Sequence, residues 1–214
     1  MKNTSKKTII VATAAAAVLG VGGMLAYFTD TDTAQNKFEV GKVKIDLTEP
    51  NWDSYPDDNS NGIPDQAEQI VPGNEITKDP TVTNVGKNDT YVFLKVSVPK
   101  SNIITANDDG TLTNSGSAKV TQLFSYVTDV NWELLNTDES ADDVNTYIYG
   151  YKSILPVGEK TTALFDKVKF VNAIEGQGLE ESIQKIDIET YAIQSDNTGT
   201  MQEAYTKYIN QNNK

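Results

Sequence analysis

Residues 57–68 read DDNSNGIPDQAE and hold the chain's most patterned set of oxygen ligands. Asp57, Asn59 and Asn61 stand at alternate positions, Gly62 follows, and Glu68 closes the span. This is the D-x-[DN]-x-[DN]-G-x5-E spacing, in which short oxygen-bearing side chains fold around a hard cation and the glycine takes the sharp turn. In such a loop Ile63 offers its carbonyl, Asp65 a water-mediated contact and Glu68 two oxygens; the cofactor implied is calcium. The same residues also suit a solvated acidic turn, because two Asn in place of Asp lower the ligand charge that sets affinity. Asp187 and Glu189, two residues apart, would share one face of a strand. They read either as a carboxylate pair for acid–base work or as the wet side of a sheet. Tyr147, Tyr149 and Tyr151 would line one strand face, either for stacking on sugar rings or as the flank of a core. Residues 138–143, DESADD, lack ligand spacing and read as a solvated loop. Glu175-Gly176-Gln177-Gly178 is a lone GxG between acids, not a phosphate cradle.

Missing residue types restrict the chemistry further. The 214-residue chain has no His, no Cys and no Arg. Without His there is no Ser-His-Asp triad and no HExxH helix; without Cys there is no disulfide frame, thiolate nucleophile or thiolate zinc site. A formal charge of −12 disfavours nucleic acid and anionic membrane surfaces and favours cations. At 38% hydrophobic and 22% charged, the composition is that of a globular chain, and the length suits one domain.

The chain starts with an export signal. Lys2, Lys6 and Lys7 precede the uncharged run TIIVATAAAAVLGVGGML, and the small residue Ala26 follows it. The run could just span a bilayer, but Ala and Gly dominate it and enter lipid only weakly, which points to cleavage rather than a retained anchor. Cleavage would leave 15 lysines against 30 acids, a net charge of −15. LPVGE at 155–159 is not a wall-sorting signal. Residues 1–26 are thus read as signal peptide, 27–36 as a flexible segment, 37–195 as the β domain and 196–214 as a tail with a short helix.

Period-2 patterns dominate the remainder. Val92, Leu94, Val96 and Val98 alternate with Tyr91, Phe93, Lys95 and Ser97. Val43, Ile45 and Leu47 alternate likewise, and Phe38 and Val40 are out of phase with them across Gly41, which suggests a bulge. Further strands are expected at 80–85, 121–127, 131–135, 146–151, 162–171 and 186–194. Residues 80–98 read as a hairpin around Gly86-Lys87-Asn88-Asp89. Two short helices are expected, at 179–183 and 201–210. The class is all-β: a jelly-roll-like antiparallel β-sandwich with one or two short helices, preceded by a cleavable signal helix.

Four segments carry a family resemblance: GGMLAYFTDTDTAQNKF running into EVGKVKIDLTEP; IVPGNEITKDPTVTNVGKNDTYVFLKVSVP; YKSILPVGEKTTALFDKVKF; and IDIETYAIQS. In this order they resemble the TasA/camelysin family of exported bacterial proteins, processed by a SipW-type signal peptidase. The resemblance implies cleavage between Ala26 and Tyr27, a jelly-roll domain, and a biofilm-matrix fibre subunit secreted by a Gram-positive bacterium. It also implies assembly by donor-strand complementation. Tyr27, Phe28, Thr29, Asp30, Thr31 and Asp32 would complete a sheet of the next copy, with Tyr27 and Phe28 as apolar anchors. The implied partners are further copies head to tail, the signal peptidase, and a minor initiating or anchoring subunit; the membrane is met only through the uncleaved signal. Some members of the family are described as casein-cleaving metallopeptidases. A carboxylate-only site suits calcium or magnesium better than zinc, so no catalytic residue is assigned and a non-enzymatic role is expected. A camelysin-like surface peptidase and a monomeric surface adhesin are the alternatives.

Overall fold

In the computed structural model, residues 41–180 and 182–212 are described. The expected signal peptide, the Ala26–Tyr27 junction, the 27–36 segment, and Phe38 and Val40 lie outside them. The described residues form ten strands and one α-helix. The strands are β1 (Ile45–Thr48), β2 (Glu75–Thr77), β3 (Thr81–Asn84), β4 (Thr90–Ile103), β5 (Lys119–Gln122), β6 (Phe124–Tyr126), β7 (Trp132–Asp138), β8 (Val144–Tyr151), β9 (Lys167–Phe170) and β10 (Asp187–Gln194). The helix α1 spans Met201–Asn212.

All pairings are antiparallel. One sheet runs β10-β4-β8-β7, with β5 on the far end of β4; a second runs β2-β9-β6; β1 and β3 form a two-stranded third. The fold is an all-β, sandwich-like one. Val92, Leu94, Val96 and Val98 line the inner face of β4 and are fully buried. They pack with Tyr149 and Trp132 of the same sheet and against Ile76, Val82, Phe124, Val168 and Phe170 of the others. The strict alternation in β4 therefore reports the inner core directly.

The opposite face of β4 is covered as well. Tyr91 and Phe93 form a second buried cluster with Met201 and Ala204 of α1. The helix begins on a capping box: Thr200 N–H donates to Glu203 Oε2 at 2.8 Å, and Glu203 N–H donates to Thr200 Oγ1 at 3.3 Å. A Cβ on Gly150 of β8 would overlap the Met201 thioether, so the glycine is what lets α1 lie against the sheet. A register shift at Leu135 in β7 accompanies its packing into the same cluster.

Four expectations are corrected. Residues 80–98 do not form a hairpin: β3 pairs with β1, and β4 with β10, β8 and β5. Segment 155–161 bonds both strands instead. Thr90 and Leu155 exchange N–H···O bonds at 3.1 and 2.8 Å, Gly158 N–H donates to Asn84 O, and Thr161 N–H donates to Val82 O. The buried Asn84 amide fixes the crossing, donating to Asn88 O and Leu155 O while accepting from Gly86 N–H. At the helix expected at 179–183, the described residues show only a turn, with Ser182 N–H on Leu179 O, and α1 is the one α-helix among the described residues. The single strand expected at 121–127 is split at Leu123, whose side chain enters the core, and the strand expected at 162–171 pairs as a strand only over Lys167–Phe170.

Candidate functional site

Between β1 and β3 the chain makes an excursion that carries the 57–68 loop. Its neck is a charged clasp. Lys78, 8% exposed, places Nζ 2.7 Å from Glu49 Oε2 and 4.8 Å from the centre of the Trp52 ring. The adjacent Asp79 carboxylate, also buried, accepts the N–H groups of Asn51 and Trp52 at 3.0–3.2 Å. Glu49 Oε1 is buried without a partner. Further out, Tyr55 OH donates to Thr77 Oγ1 and Gln66 Nε2 to Thr77 O, so the loop leans on β2. Sequence reading missed this clasp because its partners lie 29 residues apart. The one local signal was a Lys-Asp pair just before β3.

Within the loop, Asp57 is the organiser. Its Oδ1 accepts Asn61 N–H at 3.1 Å and its Oδ2 accepts Gly62 N–H at 2.8 Å. Asn59 Oδ1 takes Asn61 N–H, and Asn61 Oδ1 takes Ile63 N–H. Gly62 sits at φ +82°, the left-handed conformation the motif needs. Glu68 returns across the loop, where its Oε1 accepts Asn59 Nδ2 at 2.7 Å and Asn61 Nδ2 at 2.6 Å. Asp57, Asn59, Asn61 and Glu68 are thus brought into one cluster, with Ile63 joined through its N–H. Asp65 is not on Glu68 or the two Asn: it accepts the loop's own Asp58 N–H at 3.2 Å and begins a 3-10 turn, Asp65–Ala67.

The other residues singled out are placed differently. Glu189 pairs with Lys95 at 2.7 Å across β10 and β4, which holds its carboxyl below the usual range; Asp187 is exposed, and the two form the wet side of the strand. Tyr149 is buried with its OH 3.1 Å from Tyr126 OH, Tyr147 OH donates to Gln122, and Tyr151 packs on Trp132. The tyrosine row is therefore part of the core. Gly176 and Gly178 N–H both donate to Glu180, so that GxG turn cradles its own carboxylate. A cleft of about 740 Å³ is lined by Asp79, Asp129, Glu159 and Asp166. Asp129 there accepts from Asn131 and Thr162, and the Asn131 backbone bond leads in lowering its pKa.

A model of the family described as camelysin metallo-endopeptidase matches residues 2–110, just over half of the chain. The chain belongs to the camelysin family. No curated protein and no solved structure matches it. The camelysin name implies a catalytic metal, and the donors here do not fit one. There is no His or Cys in the chain, and among the described residues no three Asp or Glu converge on a point that could hold an ion. Local hydrogen bonds, and at Glu189 the Lys95 ion pair, hold the carboxyls of Asp109, Asp129, Asp138, Glu180, Glu189 and Glu203 below their usual range. Among the described residues, no helix is long and apolar enough to cross a membrane.

Proposed function

We propose that this camelysin-family chain is a structural rather than a catalytic protein: an exported subunit of extracellular fibres, assembled by donor-strand complementation after signal cleavage in a Gram-positive bacterium. One observation carries the reading. Among the described residues β1 pairs only with β3, and β10 only with β4; the two strands approach one another without a ladder between them. Unpaired N–H and C=O groups along such edges are a template for an added strand. The segment that would supply it, residues 27–36, lies five residues before the pairing of 42–48 with β3 and its exit, so a copy that lends its leading segment would keep its own core. A head-to-tail contact that does not close yields a filament.

Calcium in the 57–68 loop is the second part of the proposal. To admit the ion, Glu68 would exchange the two Asn amide donors for it, and the weak, millimolar affinity of extracellular modules is expected. Negative-stain microscopy of residues 27–214 and 37–214, each with and without calcium, tests both parts. Fibres from the longer chain alone are expected; fibres from the shorter one would sink the mechanism. Calorimetry on the wild type and Glu68→Ala decides the ion separately.

The family name itself favours a second reading, a metallopeptidase. A casein assay with and without chelator, on the wild type and a panel of Glu→Gln variants, separates the two. Chelator-sensitive cleavage abolished by one of those variants would establish the peptidase.

A further inference from the structure

Asn61-Gly62 is the one Asn-Gly step in the chain, and both residues are exposed. A following glycine offers no Cβ to obstruct its own backbone nitrogen from approaching the asparagine side chain. We propose that Asn61 is a self-modification site, converted to aspartate at a rate set by whether the 57–68 loop is closed. In the reaction the Gly62 nitrogen loses its proton to solvent base and bonds to Asn61 Cγ. The Cγ–Nδ2 bond breaks and ammonia leaves. Water then opens the resulting succinimide, giving aspartate or isoaspartate, so the net change is amide plus water to carboxylate plus ammonium. No oxidant or reductant is needed.

The loop restrains both ends of this step. Gly62 N–H, the nucleophile's proton, is held on Asp57 Oδ2 at 2.8 Å. The departing amide nitrogen is held on Glu68 Oε1 at 2.6 Å, and Asn61 Oδ1 on Ile63 N–H at 2.8 Å. The same two acids that frame the loop therefore keep the reacting atoms from turning toward each other. Once formed, the new carboxylate faces Glu68 in place of a donor, and two carboxylates at that range repel unless a cation or proton lies between them. Conversion thus changes a loop closed by its own amides into one that closes on a cation, with higher ligand charge and tighter binding. This last consequence rests on the calcium reading; the chemistry at Asn61 does not.

The test is peptide mass spectrometry of the purified protein aged for several weeks at mildly alkaline pH, beside Asp57→Ala and Glu68→Ala. A gain of about 1 Da confined to the Asn61 peptide is expected, part of it isoaspartate. The two opened variants should convert about tenfold faster, as restraint on the reacting atoms is lost. No gain at Asn61 in any of the three proteins, or equal rates in all three, overturns the proposal. Calcium calorimetry on the wild type and Asn61→Asp runs in parallel, with about tenfold tighter binding expected for the variant. If neither binds calcium, the cation reading fails while the mass gain still judges the modification.

Discussion

At the scale of single residues, the buried charges at the neck of the excursion dominate. Lys78 and Glu49 are each largely withdrawn from water, and Glu49 already carries an orphaned oxygen. Lys78→Ala should destabilise by about 3 kcal/mol in urea denaturation, because it leaves a buried carboxylate unpaired. The double change Lys78→Met, Glu49→Leu should recover most of that, because it removes both desolvated charges. Tyr126 contributes to the alkaline limit, as do Tyr147, Tyr191, Tyr205 and Tyr208. The burial of Tyr126, and then its bond to Tyr149, push its pKa well above the usual tyrosine value. The sign follows from that raised folded-state value. The stabilisation is whole below the unfolded pKa of about 10 and is lost as pH rises beyond it. Tyr126→Phe should therefore lose less stability above about pH 10 than the wild type, read by circular dichroism along an alkaline titration.

At the scale of elements, α1 is the piece that makes β4 a strand covered on both faces. The sequence placed a helix at 201–210, and the structure adds the Thr200–Glu203 capping box that starts it. What it covers was hidden, because Tyr91 and Phe93 sit at the positions that alternation assigns to the outside. Gly150→Ala should push Met201 away and cost about 1–3 kcal/mol, an overpacking penalty seen as a lower denaturation midpoint. The 80–98 connection shows the limit of local reading from the other direction. Gly86-Lys87-Asn88-Asp89 has good turn chemistry, yet the strands on either side bond segment 155–161, some 70 residues on. In the 57–68 loop, Asp57, Asn59, Asn61 and Glu68 come together at a spacing that is a local property, while Asp65 bonds Asp58 N–H and Ile63 joins through its own N–H. The clasp that mounts the loop has no such local spacing.

At the scale of the whole molecule, charge and open edges oppose each other. A chain cleaved after Ala26 carries 30 acids against 15 lysines, so approaching copies repel. Backbone pairing along an open edge acts only at contact, whereas the repulsion acts over about a Debye length. Fibre growth followed by light scattering should therefore accelerate as salt is raised from roughly 0.01 to 0.15 M, where that length falls from about 30 to 8 Å. Growth that slows with added salt would point to contacts made by ion pairs rather than by strand addition.

The sequence by itself determined the β class, the inner face of β4, the C-terminal helix, the spacing of the acidic loop and the absence of His and Cys chemistry. Each of these follows from composition or from neighbours a few residues apart, where strand period, capping and ligand spacing act. Tertiary structure alone decided which strands pair, that the Tyr147–Tyr149–Tyr151 row belongs to the core, that α1 seals the second face of β4, and that Lys78, Glu49, Trp52 and Asp79 clamp the loop's base. These depend on backbone groups and charges far apart in the chain finding partners once water is excluded. Such partners leave no period or spacing to read.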